Sequence, residues 1–490
     1  MEPFLQFKPK IPSMKIIDTQ FTKIVATVGP ASRTYDMLLR LVKEGVNVFR
    51  LNFSHGSHDE HLEVIRHIRQ INRTLGSHVG ILADLQGPKL RVGQIEDDGL
   101  ELAAGDVLTF TGTPCTGNRE RIYMSYEGFA SDVTPGEKVL VDDGKIVLEV
   151  IETDGTDQVR LKVLFGGTLR SNKGVNLPDT QVSLPSLTEK DIRDLDFILT
   201  QPVDWIALSF VRSPDDLADL RTRIEAREHP AKIIAKIEKP EAVRQIDQIV
   251  RACNAIMIAR GDLAVEVPME RMPLIQKDII NLCIQWGRPV IVATQMMESM
   301  ITNPSPTRAE ITDVANAVLD GADALMLSGE TAVGRHPDVV IRTMNAIISE
   351  VEKRYDISGR LPFPSPKSST FLSDAVCFNA AKLAQEVGAR AIVGMTTSGY
   401  TAFKVSSYRP LCKIYIFSEQ ERILSTLNLV WGVHCFYYDR FTSTDDTIND
   451  SIAVLKREQR VEPGDVIINT ASMPLHARQR TNMIKVSVVE

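Results

Sequence analysis

No apolar run among the 490 residues approaches the roughly 20 needed to span a membrane. The opening segment, with Lys8, Lys10 and Lys15 between short apolar pieces, has no signal-peptide core. The expectation is a cytoplasmic chain with no membrane partner. Cysteine is scarce and scattered. Cys115, Cys253, Cys283, Cys377, Cys412 and Cys435 form no CxxC pair, which argues against a zinc knuckle or a disulfide framework and leaves six small buried hydrophobes. Charge of one sign is lacking too: Lys+Arg 56 against Asp+Glu 63 leaves a net charge of -7, a poor surface for nucleic acid or anionic lipid. There is no GxxxxGK[ST] loop, no GxGxxG after a strand, no HRD with DFG and no GxSxG elbow, so P-loop and protein-kinase machinery are excluded.

What is present is an ordinary globular composition, 43% hydrophobic and 24% charged, in a chain long enough for ~2 to 4 domains. Short apolar runs at 23–28, 46–52, 80–84, 205–210, 232–238, 255–260, 289–294 and 324–328 each end in polar, Gly or Pro residues, and most are followed by a helical-period stretch. Eight alternations of strand and helix are what a closed parallel barrel requires, with chemistry where the strands end. The interval of about 120 residues between the third and fourth runs is far too long for one loop and helix. Its strand-like pieces at 100–110, 138–141 and 145–151, broken by turn residues, indicate an inserted β-domain placed to act as a lid. A Pro- and Ser-rich stretch at 357–369 reads as a linker, and five further runs, at 391–395, 413–417, 433–438, 466–469 and 483–489, follow it. The expected fold class is α/β: a (β/α)8 TIM barrel at 1–87 and 185–356, an inserted small β-barrel lid domain at 88–184, and a C-terminal open-sheet α/β domain at 357–490.

The polar strand endings supply the candidate site. The second run ends Arg50-Leu51-Asn52-Phe53-Ser54-His55, and alternation puts Arg50, Asn52 and Ser54 on one face. Inward-facing polar groups in a row are costly without a ligand or ion. The fifth run ends Lys236-Ile237-Glu238 and the sixth Ala259-Arg260-Gly261-Asp262. Neighbouring strands lie ~4.8 Å apart, so Glu238 and Asp262 can converge on one hard cation such as Mg²⁺, since two carboxylates without His or Cys specify oxygen ligation. Lys236 would then sit beside any oxyanion the metal binds. The backbone at Gly261 and Asp262 can receive a small carboxylate or phosphate. Thr294, Ser328 and Glu330, at the last two strand ends, can relay a proton.

Val48-Phe49-Arg50-Leu51-Asn52-Phe53-Ser54-His55-Gly56, Ala235-Lys236-Ile237-Glu238, Ile258-Ala259-Arg260-Gly261-Asp262-Leu263, Ala293-Thr294-Gln295-Met296 and Leu327-Ser328-Gly329-Glu330-Thr331-Ala332 resemble the active-site segments of pyruvate kinase, in the same order. The resemblance covers nearly the whole chain. It implies transfer of the phosphoryl group of phosphoenolpyruvate to ADP, giving pyruvate and ATP at the end of glycolysis. By motif position, Arg50 and Lys236 would hold the moving group, with Lys236 as transition-state stabiliser. Glu238 and Asp262 would bind Mg²⁺ (or Mn²⁺), and Gly261, Asp262 and Thr294 the substrate carboxylate. Asn52, Ser54, His55, Arg91 and Lys190 fall where the family contacts the nucleotide, which would bring a second Mg²⁺. A homotetramer is also implied.

In K⁺-requiring members, Asn52, Ser54, Asp84 and the carbonyl of Leu85 match the positions that would ligate K⁺, within a segment similar to Asp-Thr-Lys-Gly-Pro-Glu. Here it reads Asp84-Leu85-Gln86-Gly87-Pro88-Lys89. The Lys89 ammonium carries the charge of K⁺ on a flexible stem, so K⁺ is expected not to be required. The loop Thr396-Thr397-Ser398-Gly399-Tyr400-Thr401 resembles the family's effector-phosphate loop, and basic groups at 473–480 stand in a second loop. Two other classes share part of this pattern, a Mg²⁺-dependent aldolase or lyase of the phosphoenolpyruvate/pyruvate barrel type and a catalytically silent effector-binding homologue. The inserted domain and Lys190 disfavour the first, the intact Arg50, Lys236, Glu238, Asp262 and Thr294 the second.

Overall fold

Each of the eight barrel runs becomes a strand, and six of the eight strands stop one or two residues before the run does. In the computed structural model, which describes residues 20–354, 363–440, 443–473 and 480–490, the barrel strands are Lys23–Thr27, Val48–Asn52, Gly80–Asp84, Trp205–Leu208, Lys232–Ile237, Ala255–Ala259, Val290–Ala293 and Ala324–Leu327. They close in chain order into one barrel. Strands such as Ala255–Ala259 and Val290–Ala293 are buried on both faces, as required when the barrel interior lies on one side and a helix layer on the other. The early stops have a chemical cause. Ser209, Glu238, Arg260, Thr294 and Ser328 lie just past the last paired residues, where the backbone leaves the ladder and polar side chains are released from it.

The chain packs as two compact units, one of Met1–Leu51, Ser57–Ile81 and Met296–Glu490, the other of Asn52–Gly56 and Leu82–Gln295. The second contains the expected insertion. Its six-stranded sheet combines Val107–Thr111, Arg121–Tyr123, Lys138–Val141, Ile146–Thr153, Gln158–Phe165 and Val175–Asn176, beside a two-stranded pair of Leu100–Leu102 and Gly167–Leu169. Single bridges from Arg91 to Gly174 and from Val92 to Met124 tie the two outer edges of that sheet through one short segment, so it wraps towards a barrel. Phe110, Ile122, Leu148 and Leu161 fill its separate core.

The first unit contains a five-stranded sheet of Ala391–Met395, Lys413–Ser418, Val433–Tyr437, Val466–Ala471 and Met483–Val488, the last antiparallel. Alternation sends Ile392 and Ile414 to one apolar layer and Val393 and Tyr415 to the other. Within this unit Arg409, only 4% exposed, grips Asp323 with both terminal nitrogens, at 3.2 and 2.9 Å, and donates to the Gly321 carbonyl at 2.8 Å. Lys23, buried as well, donates to the Val433 carbonyl. Two buried cations therefore join the barrel portion of this unit to its C-terminal portion, Arg409 through a bidentate pair that leaves its Nε without a partner and Lys23 through a backbone carbonyl. Of the expected linker at 357–369, residues 363–369 are described and form coil and turns without a regular element, while 357–362 and most of the basic loop at 473–480 lie outside the described residues. Among the described residues no helix is long and apolar enough to cross a membrane.

Candidate active site

Lys236 is the centre of the second unit's polar cluster. Alternation on Lys232–Ile237 turns it to the same side as Glu238, and its Nζ stands 3.0 Å from Glu238, 3.3 Å from Asp84 and 2.6 Å from the Ser209 hydroxyl. All four residues are buried. Ser209 in turn donates to the Leu85 carbonyl at 2.7 Å. An ammonium removed from water needs this company, and the two carboxylates more than neutralise it. Burial pushes the Glu238 carboxyl up from its usual range; the Lys236 ammonium pulls against that shift and Asp262 adds to it. The Phe210 N–H donates to Glu238 at 2.7 Å from a backbone at φ 54, uncommon for a residue with a Cβ.

Asp262 and Gly261 lie in the first turn of the helix Arg260–Glu266, whose N-terminal N–H groups have no partner within the helix. Thr294 meets that turn: its hydroxyl accepts from the Gly261 N–H at 2.7 Å, and Arg260 donates to the Thr294 carbonyl at 2.9 Å. Thr294 and Gln295 themselves have φ of 68 and 55. The Lys89 Nζ is 3.9 Å from the Asp262 carboxylate with its side chain 37% exposed, so it faces the site instead of pointing only into solvent. Gly87, at the root of the inserted domain with φ 69, must be glycine, since a Cβ there would lie 2.8 Å from the Ser209 Cβ.

The donor set fits a hard divalent cation. Glu238 and Asp262 offer only carboxylate oxygens, and the buried Glu238 would be relieved of its desolvation cost by a cation. Among the described residues no group of three or more His, Cys, Asp and Glu side chains gathers to hold a metal. Two carboxylates, with water and substrate oxygens completing the shell, is how Mg²⁺ is commonly held, because it dehydrates reluctantly.

Of the residues assigned to the nucleotide, Lys190 donates to the Phe53 carbonyl at 2.5 Å and pairs with the buried Asp194 at 2.6 Å. This brings Lys190 to the Asn52–Gly56 segment. There Asn52 Oδ1 accepts the Ser54 N–H at 3.1 Å, and His55 is exposed. Arg91 is engaged elsewhere, donating to the Asn172 carbonyl at the edge of the inserted sheet.

In the first unit, Arg50 donates to the Thr27 hydroxyl at 3.1 Å. Glu330 is buried and accepts from the N–H groups of Met297 at 3.1 Å and Ser328 at 2.7 Å; burial pushes its carboxyl up. The Ser328 hydroxyl is buried without a hydrogen-bond partner. Met296, Met297 and Met300 are packing, fully buried as expected of the cluster. Thr396 Oγ1 accepts from the Gly399 N–H at 2.9 Å, Ser398 Oγ lies 3.4 Å from the Tyr400 N–H, and Thr401 is buried against Thr481 at 2.5 Å. Thr397 stands exposed between them.

Ser209 and Phe210 are not among the residues that the sequence singles out. A signal for them exists, because Ser209 interrupts the fourth apolar run just before its end at Phe210, and it is the Ser209 hydroxyl that links Lys236 to Leu85.

The model of the pyruvate kinase barrel domain family matches residues 19–341, and that of the pyruvate kinase alpha/beta domain residues 374–487. The pyruvate kinase of Corynebacterium glutamicum is 43% identical over 472 residues, 96% of this chain and 97% of that protein. The pyruvate kinase of Geobacillus stearothermophilus is 42% identical over 96% of this chain and 80% of that protein. The crystal structure of a pyruvate kinase from Cryptosporidium parvum is similar with a TM-score of 0.90 at 35% identity, covering 96% of this chain and 97% of that one.

Ser209→Ala leaves Lys236 its two carboxylates and removes the hydroxyl that fixes its direction. A hydrogen bond to a charged group contributes about 1.5–3 kcal/mol, so turnover is expected to fall at least roughly tenfold with a smaller change in KM. Steady-state kinetics of the folded variant checks this, and an unchanged kcat would make the contact incidental.

Proposed function

The chain belongs to the pyruvate kinase family and is a phosphotransferase acting on phosphoenolpyruvate and ADP; from that premise we propose how its own residues divide the work. The observation that carries the reading is the buried Lys236 ammonium, held among Glu238, Asp84 and Ser209 at the barrel strand ends. Phosphoryl transfer asks little covalent chemistry of a protein and much charge neutralisation and positioning. Lys236 meets the charge that develops on the moving phosphoryl group. Arg50 keeps the phosphoryl-holding role that the family resemblance gives it. Glu238 and Asp262 hold Mg²⁺ (or Mn²⁺), which when bound neutralises substrate oxygens. Gly261 and Asp262 present helix N-terminal N–H groups to the substrate carboxylate, the Thr294 hydroxyl releasing the Gly261 N–H as it turns to the substrate. Ser328 and Glu330, with Thr294, keep the role of delivering the proton that converts the enolate to pyruvate. Lys190, Asn52, Ser54 and His55 receive the nucleotide, Arg91, held at the Asn172 carbonyl, keeps the nucleotide-contacting role that the family resemblance gives it, and the inserted domain serves as lid. The lyase alternative leaves Lys190 and its buried Asp194 partner without a task.

The expected outcome for Lys236→Met is loss of turnover by on the order of 10²- to 10³-fold or more, with Mg²⁺ and phosphoenolpyruvate binding largely kept, because the ammonium acts on transition-state charge. Glu238→Gln raises the Mg²⁺ concentration needed. Formation of ATP from phosphoenolpyruvate, ADP and Mg²⁺ is the measurement, and near-normal kcat in Lys236→Met would remove the assignment.

The monovalent cation is replaced by Lys89. In support, three of the four groups that would ligate K⁺ are engaged: Asp84 by Lys236, the Leu85 carbonyl by Ser209, and Asn52 Oδ1 by the Ser54 N–H. Lys89 faces Asp262 beside them. Full activity with Mg²⁺ is expected in buffer free of K⁺ and NH₄⁺, and a K⁺ requirement in Lys89→Glu. Strong activation of the parent enzyme by K⁺ would return Asn52, Ser54, Asp84 and Leu85 to a cation site.

A cytoplasmic homotetramer fits the exposed apolar surface. The edge strand Met483–Val488 leaves Val486 and Val488 exposed, and Met269 and Leu274 are exposed on helical segments. The loop of Thr396, Thr397, Ser398, Gly399 and Thr401 takes the phosphate of a small metabolite and alters phosphoenolpyruvate affinity. Sugar phosphates and nucleotides screened against phosphoenolpyruvate saturation curves are expected to yield at least one that shifts the midpoint; no shift with any of them would discard the site.

A further inference from the structure

The helix Arg260–Glu266 carries the candidate metal ligand Asp262 near its start, yet at seven residues it has little stability of its own, so its direction is set by what grips its ends. Thr294 grips the front. At the back, Glu266 lies one turn beyond Asp262 and therefore on the same helix face. Its fully buried carboxylate accepts from Lys239 Nζ at 2.6 Å and from Asn176 Nδ2 at 2.8 Å, both at Oε1, while Oε2 is buried without a hydrogen-bond partner. Lys239 directly follows the other candidate ligand, Glu238, on the chain. Asn176 ends the strand Val175–Asn176 of the inserted domain.

A buried ion pair with one oxygen left unsatisfied is a poor device for stability, because desolvating both charges offsets most of their attraction. Its geometry explains it better. The pair spans from the residue beside Glu238 to the residue one turn from Asp262. It thus fixes the spacing of two like-charged carboxylates that would otherwise push apart, and the same oxygen is the acceptor on which the lid strand rests. Resting on the metal reading above, we propose that Glu266 is a positioning residue: through Lys239 it holds the two metal carboxylates in register, and through Asn176 it makes the seating of the inserted domain sensitive to that register.

The test uses the full-length enzyme and Mn²⁺ alone, with binding read by electron paramagnetic resonance in the absence of substrates. Glu266→Gln keeps the shape and removes the charge. Its Mn²⁺ dissociation constant is expected to rise on the order of 10-fold, the usual scale for partners that orient metal ligands. Lys239→Met should match it, the double variant should be no weaker than either single one because both remove one interaction, and Lys239→Arg should restore binding to within about twofold of the parent. Asn176→Ala keeps the ion pair and its Mn²⁺ affinity. In the parent, Mn²⁺ is expected to slow amide exchange at 175–176, and in Asn176→Ala this slowing disappears. A folded Glu266→Gln, or Lys239→Met should the first not fold, that binds Mn²⁺ within twofold of the parent overturns the proposal. Glu238→Gln distinguishes the causes: if it too leaves Mn²⁺ binding unchanged, the metal assignment itself has failed, whereas weakened binding in Glu238→Gln alone removes only the role of Glu266.

Discussion

A lysine ammonium nine-tenths removed from water constrains everything around it. Lys236 can be buried only if acceptors surround it, and those acceptors come from three different places in the chain: Asp84, Ser209 and Glu238. The parallel register brings them together. Across the third, fourth and fifth strands, Ala207 pairs with Asp84 and Leu208 with Ala235, which sets Ser209 level with Lys236, two residues beyond Asp84 and two before Glu238, so that alternation turns all four to one side. A slip of one residue in any of these strands would turn its polar residue to the opposite face and leave the ammonium short of a partner. The barrel is thus more than a container for the site, since its register is a condition for burying the charge at all.

The cost of that arrangement appears in the backbone. Phe210, Thr294 and Gln295 occupy the left-handed region that residues with a Cβ avoid, at about 1–3 kcal/mol each. The first two are where the chain turns a backbone or side-chain group towards the site: the Phe210 N–H to Glu238, and the Thr294 hydroxyl to the Gly261 N–H. Strain stored at Phe210 fits preorganisation, its N–H being aimed at Glu238 before any cation or substrate arrives, whereas Thr294 holds the Gly261 N–H until substrate takes it. The same logic accounts for the short helix after the sixth strand. Too short to hold itself, it is fixed by Thr294 at one end and by Lys239 and Asn176 through Glu266 at the other.

Much of the barrel is legible in the residue pattern alone. Apolar runs ending in polar residues mark the eight barrel strands to within two residues, because burial on both faces leaves a continuous apolar signature and the exit from the barrel ends it. Alternation places Lys236 and Glu238 on one side, and their contact at 3.0 Å follows from it. The insertion is visible as length without room in the barrel, but its strands Arg121–Tyr123, Gln158–Phe165, Gly167–Leu169 and Val175–Asn176 lie outside the runs that the pattern marks. Three of these, at two or three residues, are too short to leave a pattern, whereas Gln158–Phe165 carries a legible alternation of buried Val159, Leu161 and Val163 that the marked runs do not include.

The sequence by itself determined the order of elements, the chemistry available at each strand end and the exchange of an acidic residue for Lys89, because these depend on residue type and on spacing within one segment. It could not determine which ends meet. That Ser209 completes the cage of Lys236, that Lys89 turns to Asp262, and that Glu266 joins Lys239 to Asn176 are contacts spanning 27 to 173 positions of sequence. No local propensity encodes such contacts; only closure of the barrel, with its fixed register, brings those groups within hydrogen-bonding and ion-pairing reach.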